Sequence, residues 1–119
     1  MLNLDTHIFI HALNGKLTAR EKRLLSESPW GISTMVVWEI TKLVQLGRIG
    51  LDVHSTYFRR VLSQLQVWPL DLGVCQRTTE LDFSSDPADE IIATTSLAHQ
   101  APLLTRNRRI LKSKVVPLA

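Results

Sequence analysis

Short apolar runs alternate with longer segments of helical period along the whole chain. Leu2–Leu4, Trp30–Ser33, Val67–Leu70, Pro102–Thr105 and Val115–Val116 are each too short for a helix. All are bounded by turn formers, so each is expected to be a strand. Between them, apolar positions recur at three- and four-residue spacing. This predicts helices over His7–Leu13, Met35–Leu46, Val53–Gln64 and Gly73–Leu81, one from Pro87 to Gln100, and a short one over Arg108–Lys112. A further helix runs to Ser26 from Thr18, where Glu21 completes a capping box and Pro29 ends the segment. Thr34 is expected to open the helix that Gly47 ends, Asp71 to cap the helix after the third strand, and Pro87 to occupy the first position of its helix.

Strands separated by helices imply a parallel sheet reached by right-handed crossovers and covered on both faces. The expected fold is three-layer α/β/α with a central parallel sheet of four to five short strands, in a single domain spanning residues 1–119. No internal repeat or low-complexity stretch interrupts it. In such folds ligands gather outside the carboxyl ends of the strands, where strand order reverses. Asp5, Ser33, Asp71 and Thr105 all follow strands and should share that rim.

Hydrophobic residues make up 45% of the chain and charged residues 21%, an ordinary globular balance. The net charge of +3 is modest but uneven. Asp71, Glu80, Asp82, Asp86, Asp89 and Glu90 face only Arg77 in their stretch, whereas Arg106, Arg108, Arg109, Lys112 and Lys114 follow without an acid. Acids able to hold a cation, followed by bases able to attract phosphate, suit a metal-using enzyme acting on a polyanion. A solvated helix face would carry similar charge. Cys75 is the sole cysteine, which excludes an intrachain disulfide and a zinc site of paired cysteines and fits a reducing compartment. No stretch has the length of a membrane span, and the first residues lack a basic segment followed by a long apolar one, so a cytoplasmic protein with no membrane partner is expected.

The acids Asp5, Glu39, Asp86 and Asp89 stand where apolar elements begin, end or turn their buried face. Buried charge is costly unless paired or bound to metal. Asp5 either caps the next helix or points into the rim crevice. Glu39 lies on the flank of the stripe Val36, Ile40, Leu43 and Gly47, where Arg, Lys or a metal would serve as partner. Asp86 reads as an N-cap and Asp89 as a third-position acid favoured by the helix dipole, with Glu90 solvated. Three acids at one helix start exceed the needs of capping. His7 and His11 share helical spacing but have no third histidine nearby, which favours a surface or packing role over a zinc site. Trp30, Trp38 and Trp68 read as core or interface anchors rather than base-stacking platforms, Trp38 being the best interface candidate.

Taken in order, Leu4-Asp5-Thr6-His7, Ser33-Thr34 with Trp38-Glu39-Ile40, Asp86 through Thr94, and Leu103-Leu104-Thr105-Arg106-Asn107 resemble the PIN domain family, and in particular the VapC-type toxins of toxin–antitoxin pairs. The resemblance spans nearly the whole chain. It implies a metal-dependent endoribonuclease, the toxin of a type II toxin–antitoxin pair, that uses Mg²⁺ or Mn²⁺ and a metal-activated water to hydrolyse RNA phosphodiester bonds. Asp5, Glu39 and Asp89 match the principal catalytic and metal-holding carboxylates, supported by Thr6, Asp86, Thr105 and Asn107. Arg106, Arg108, Arg109, Lys112 and Lys114 would hold RNA backbone. The family also implies a homodimer and an antitoxin segment in the active-site groove. One departure is Asn107, which stands where many relatives carry a fourth acid and favours operation with one metal or with help from Asp86.

Two other readings are kept. A receiver-like signalling domain phosphorylated at Asp71 shares the doubly wound sheet, but Asn3 and Leu4 precede Asp5 where it needs an acid pair, and Thr105-Arg106 stands where it needs a lysine. The other is a catalytically impaired PIN-like module that binds RNA without cleaving it.

Overall fold

Leu2–Leu4 (β1) is buried at all three positions, as a strand covered on both faces must be. In the computed structural model, which describes residues 1–119, it pairs in parallel with Trp30–Ser33 (β2) on one side and Leu103–Leu104 (β4) on the other. Gln66–Trp68 (β3) pairs in parallel with β2, which gives the order β3-β2-β1-β4. Helices flank this four-stranded parallel sheet as the outer layers of an α/β/α sandwich. The chain moves outward from β1 to β3 and then crosses back to the far side of β1. The strand order therefore reverses beside β1 and β4, which makes their carboxyl ends the expected crevice.

The helices are Thr6–Asn14 (α1), Ala19–Ser26 (α2), Thr34–Gln45 (α3), Thr56–Ser63 (α4), Leu72–Arg77 (α5), Pro87–His99 (α6) and Arg108–Leu111 (α7). The capping box of α2 forms as the sequence predicts, with Thr18 and Glu21 bonding reciprocally. Other boundaries move, each for a local reason. Ser33, not Thr34, caps α3 by accepting from the Met35 N–H, while the Thr34 hydroxyl accepts from the Leu70 N–H. The α4 helix starts three residues late, because Asp52 accepts from the His54 N–H and Ser55 becomes the cap, accepting from the Phe58 N–H. After Arg77 the expected helix tightens into a 3₁₀ turn over Thr78–Glu80, where Thr78 and Thr79 donate back to the carbonyls of Cys75 and Gln76. The expected strand at Val115–Val116 does not form. Both N–H groups turn to the Ser113 hydroxyl, and the last pairing falls instead between Leu103 and Leu118.

The core centres on Leu4, Ile8, Phe9, Ile32, Val36, Ile40, Ile92 and Leu103, drawn from β1, α1, β2, α3, α6 and β4. Asn3 is buried within β1, and its amide donates to the Ile92 carbonyl and to the Ser96 hydroxyl. That pair of bonds ties the central strand to α6. Thr94 and Thr95 lie buried in α6 because their hydroxyls donate to the carbonyls of Glu90 and Ile91. Trp68 is buried against Gly31, where a Cβ would overlap the indole, and it stacks on His99 with ring centroids 5.1 Å apart. No helix is long and apolar enough to cross a membrane.

Candidate active site

Asp5 closes β1 at the reversal crevice and is only 5% exposed. It does both things the sequence leaves open. One carboxylate oxygen caps α1 through the Thr6 N–H at 2.8 Å, and the other accepts from the Thr105 hydroxyl at the end of β4. Glu39 reaches the same place from α3, and its carboxylate accepts from the Thr6 hydroxyl. Asp89 comes from the first turn of α6 and accepts from the Ser85 hydroxyl at 2.9 Å, with the Asn107 amide at 3.5 Å. All three carboxylates line one cavity of ≈ 410 Å³, with Asp86 and Asn107 in its wall.

Electrostatics carries the mark of that convergence. The Glu39 carboxyl is held above its ordinary range first by burial and then by the charges of Asp5 and Asp89, while the Thr6 bond and His7 pull the other way. Asp89 is raised for the same leading reason, burial, with Asp5 and Asp86 adding to it against the Ser85 bond. No lysine or arginine forms an ion pair with any of these acids. The two salt bridges in the molecule are Arg77–Glu80 and Arg106–Glu21.

Several expectations are corrected here. Asp86 sits at the N-cap of α6, but its side chain makes no capping bond. Asp89 does lie in the first turn of α6, and its carboxylate turns to the Ser85 hydroxyl. Glu90 is not simply solvated: it accepts from the Ser85 N–H at 2.9 Å and so fixes the loop that orients Asp89. His7 and His11 also line the cavity, with His7 at the surface as the sequence reading has it. Asp71 caps α5 by accepting from the Val74 N–H and lies after the edge strand β3, outside this cavity.

The basic residues divide. Arg106 also lines the cavity, yet its guanidinium is engaged by Glu21 at 2.6 and 2.8 Å and by the Lys16 carbonyl. Arg108 and Arg109 line an adjoining polar cavity of ≈ 650 Å³ together with Ser84 and Ser85, and it shares Asp86 and Asn107 with the first. Arg109 donates to the Ser84 carbonyl, whereas Arg108 makes no hydrogen bond or ion pair within the chain. Lys112 and Lys114 are exposed and line neither cavity. Asn107 is committed on one side: its carbonyl oxygen caps α7 through the N–H groups of Arg109 and Ile110. Sequence reasoning missed Ser85 and Asn3, which stand in no motif of their own, and the anchoring role of Glu21, which its capping box does not report.

A family model for the PIN domain matches residues 3–115. The chain belongs to the PIN domain family. Solved structures carry the same PIN fold. A chain of VapBC2 from Rickettsia felis, bound to a DNA fragment from its promoter, superposes with a TM-score of 0.74 at 20% identity, covering 100% of this chain and 98% of that one. A toxin–antitoxin complex from Klebsiella pneumoniae gives 0.72 at 19% identity, covering 100% and 96%. FitAcB from Neisseria gonorrhoeae gives 0.69 at 20% identity, covering 92% and 90%. No curated protein matches the sequence.

The residues of this PIN site suit a hard divalent cation by chemistry: oxygen donors, partly desolvated, mutually repelling and unpaired by cationic side chains. They do not form a closed cage, because no three His, Cys, Asp or Glu side chains are close enough to make a ready ligand cluster. A cation held by one or two carboxylates, with waters and substrate oxygen completing its shell, needs no such cage, and Mg²⁺ is commonly bound that way.

Proposed function

We propose that the protein is a metal-dependent endoribonuclease acting as the toxin of a type II toxin–antitoxin pair. The observation that carries this reading is the meeting of Asp5, Glu39 and Asp89, from three separate elements, in one cavity that no internal cation neutralises. Mg²⁺ or Mn²⁺ would be held there, by Asp5, Glu39 and Asp89. When bound, such an ion supplies Lewis-acid stabilisation of charge at phosphorus and makes water a competent nucleophile near neutral pH.

The chain's own residues aim and restrain these ligands. Thr6 serves two carboxylates at once, its N–H holding Asp5 and its hydroxyl holding Glu39. Thr105 holds the second oxygen of Asp5, so a shift at the end of β4 would move the ligand. Ser85 and Asn107 orient Asp89, and Asp86 adds negative charge at the cavity wall. RNA backbone would be held by Arg108 and Arg109 beside the cavity and by Lys112 and Lys114 further out, giving affinity that falls with salt. Arg106 joins that surface only if Glu21 releases it.

The antitoxin belongs to the same reading, supported by the toxin–antitoxin complexes among the structural neighbours. A homodimer does too, and finds exposed apolar surface at Leu46 and Leu72. Trp38, which the sequence places in the same role, is exposed as well.

The test is incubation with total RNA in Mg²⁺, Mn²⁺ or EDTA, alongside Asp5→Asn and Glu39→Gln. Cleavage in either metal, absent in EDTA and in both variants, is expected. Cleavage that survives both substitutions overturns the assignment. RNA bound but never cut in either metal would instead identify the impaired binding module.

A further inference from the structure

The three tryptophans have different fates. Trp68 is buried and stacked, and the Trp30 indole N–H donates to the Leu25 carbonyl at 2.8 Å while its ring packs on the core. Trp38 is 55% exposed, and its indole makes no hydrogen bond. The Lys42 ammonium lies 5.5 Å from the ring centroid. With Met35, Pro87 and Ala88 it walls a cavity of ≈ 390 Å³ whose remaining lining residues are Glu39 and Asp86. Both of those also line the carboxylate cavity.

Placement in the chain sharpens the point. Trp38 directly precedes Glu39 on α3, and Pro87-Ala88 lies between Asp86 and Asp89 at the start of α6. The apolar wall is therefore built from the immediate neighbours of the carboxylates, and whatever orders those carboxylates also orders the wall. An aromatic and apolar recess that shares Glu39 and Asp86 with the proposed cation site offers room for both parts of a nucleotide unit, base beside backbone. Single-stranded RNA is recognised in this way, by unstacked bases laid on aromatic side chains.

We propose that Trp38, with Met35 and Pro87, forms a stacking wall for an unpaired nucleobase of the RNA strand whose phosphate enters the carboxylate cavity. This rests on the ribonuclease reading for its substrate. The Lys42 ammonium over the ring adds positive charge beside the strand. Because every base has a π-face, the wall would select single strands without choosing a sequence.

The experiment uses the protein with its carboxylates intact and Ca²⁺ in place of Mg²⁺, an oxygen-bound dication that activates water less, so that RNA stays intact. Tryptophan emission is titrated with a short unstructured RNA and with an abasic ribose-phosphate oligomer of the same length. The intact RNA is expected to quench emission, with the quenching lost in Trp38→Phe although binding persists. Trp38→Ala should weaken binding of the intact RNA by about 5- to 150-fold and that of the abasic oligomer little. Equal binding of both oligomers by the protein with and without Trp38→Ala overturns the proposal. So does a Trp38→Ala protein that becomes monomeric by sedimentation yet binds RNA unchanged, since the indole would then belong to an interface between two copies. Base-dependent binding at Trp38, with no metal-dependent cleavage by the unaltered protein, would remove the ribonuclease reading and leave the wall standing. Cleavage with no effect at Trp38 would remove the wall alone.

Discussion

Glu21 and Glu39 are both carboxylates drawn in from solvent, and the molecule treats them in opposite ways. Glu21 receives the Arg106 guanidinium in a two-pronged bond and adds the capping bonds of Thr18, so its pKa falls to about 2. Glu39 receives one hydroxyl and faces two other acids, so burial and repulsion raise it. Arg106 stands at the boundary: it lines the acidic cavity yet binds Glu21 at its edge. A protein that needed only to neutralise its acids had the cation at hand. The negative charge of the cavity is thus uncompensated within the chain, and on the proposed reading a cation would relieve the repulsion.

The largest expected effect breaks the acidic side of the comparison. Asp5→Asn keeps the shape and the capping oxygen but removes charge, and RNA cleavage should fall by about 100-fold or more, read as initial rate in Mn²⁺. Asp71→Asn is its companion, since Asn caps a helix as well as Asp and that residue lies outside the cavity. Cleavage should be unchanged. Loss of cleavage at Asp71 rather than Asp5 would move the reacting carboxylate out of this cavity.

Next comes the response to a cation. Mn²⁺ or Mg²⁺ binding only the folded state should raise the melting temperature, by the equivalent of about 2.7 kcal/mol at a concentration a hundred times Kd. Asp5→Asn should abolish most of the rise. A rise of equal size in that variant would place the ion elsewhere.

The Glu21 side is tested by pH. Its folded pKa is depressed from 4.5 to about 2, so its contribution is fully present above about 4.5 and is lost as pH falls toward 2. Glu21→Gln retains the capping geometry but not the charge. It should cost about 1–2 kcal/mol at neutral pH, a figure reduced for the solvent around Arg106, whose side chain is 40% exposed. Urea midpoints measured across that window should slope for the natural protein and lie flatter for the variant. Equal slopes would show that the pair contributes nothing.

Much of this architecture is legible in the chain. β1, β2 and α2 lie where apolar runs and the Thr18–Glu21 capping box put them, because those signals act within a few residues. The boundaries that moved lie where side chains capture backbone groups: Asp52 and Ser55 before α4, and Ser113 before the last pairing. Nothing in hydrophobic period reports such competition. The common cavity of Asp5, Glu39 and Asp89 could be anticipated because Asp5 follows a strand's carboxyl end, Glu39 sits on a helix shoulder and Asp89 lies in the first turn of a central helix. The engagement of Arg106 could not, since its partner lies 85 residues away and any nearby base would have satisfied the same charge pattern. Ser85 was equally hidden, as a loop hydroxyl acquires its meaning only when Asp89 turns toward it.

The smallest effect is expected at residue 107, inside the cavity. Asn107 divides its amide, the oxygen capping α7 and the nitrogen facing Asp89. Asn107→Asp keeps a capping oxygen, which Asp provides equally well. It replaces the donor facing Asp89 with a second acceptor, and so adds a fifth acid to a cavity in which Glu39 and Asp89 are already raised by burial and repulsion. Without metal the variant should lose about 0.5 kcal/mol, or roughly 2–3 °C in melting temperature, with the loss easing as pH falls and the acids protonate. With Mn²⁺ the order should reverse, because the added charge strengthens attraction for the ion, and the metal-induced rise should exceed that of the natural protein. A variant less stable by the same amount with and without Mn²⁺ would mean that residue 107 acts on α7 alone. The electrostatic contrast between the two carboxylate settings would then end at Asp89.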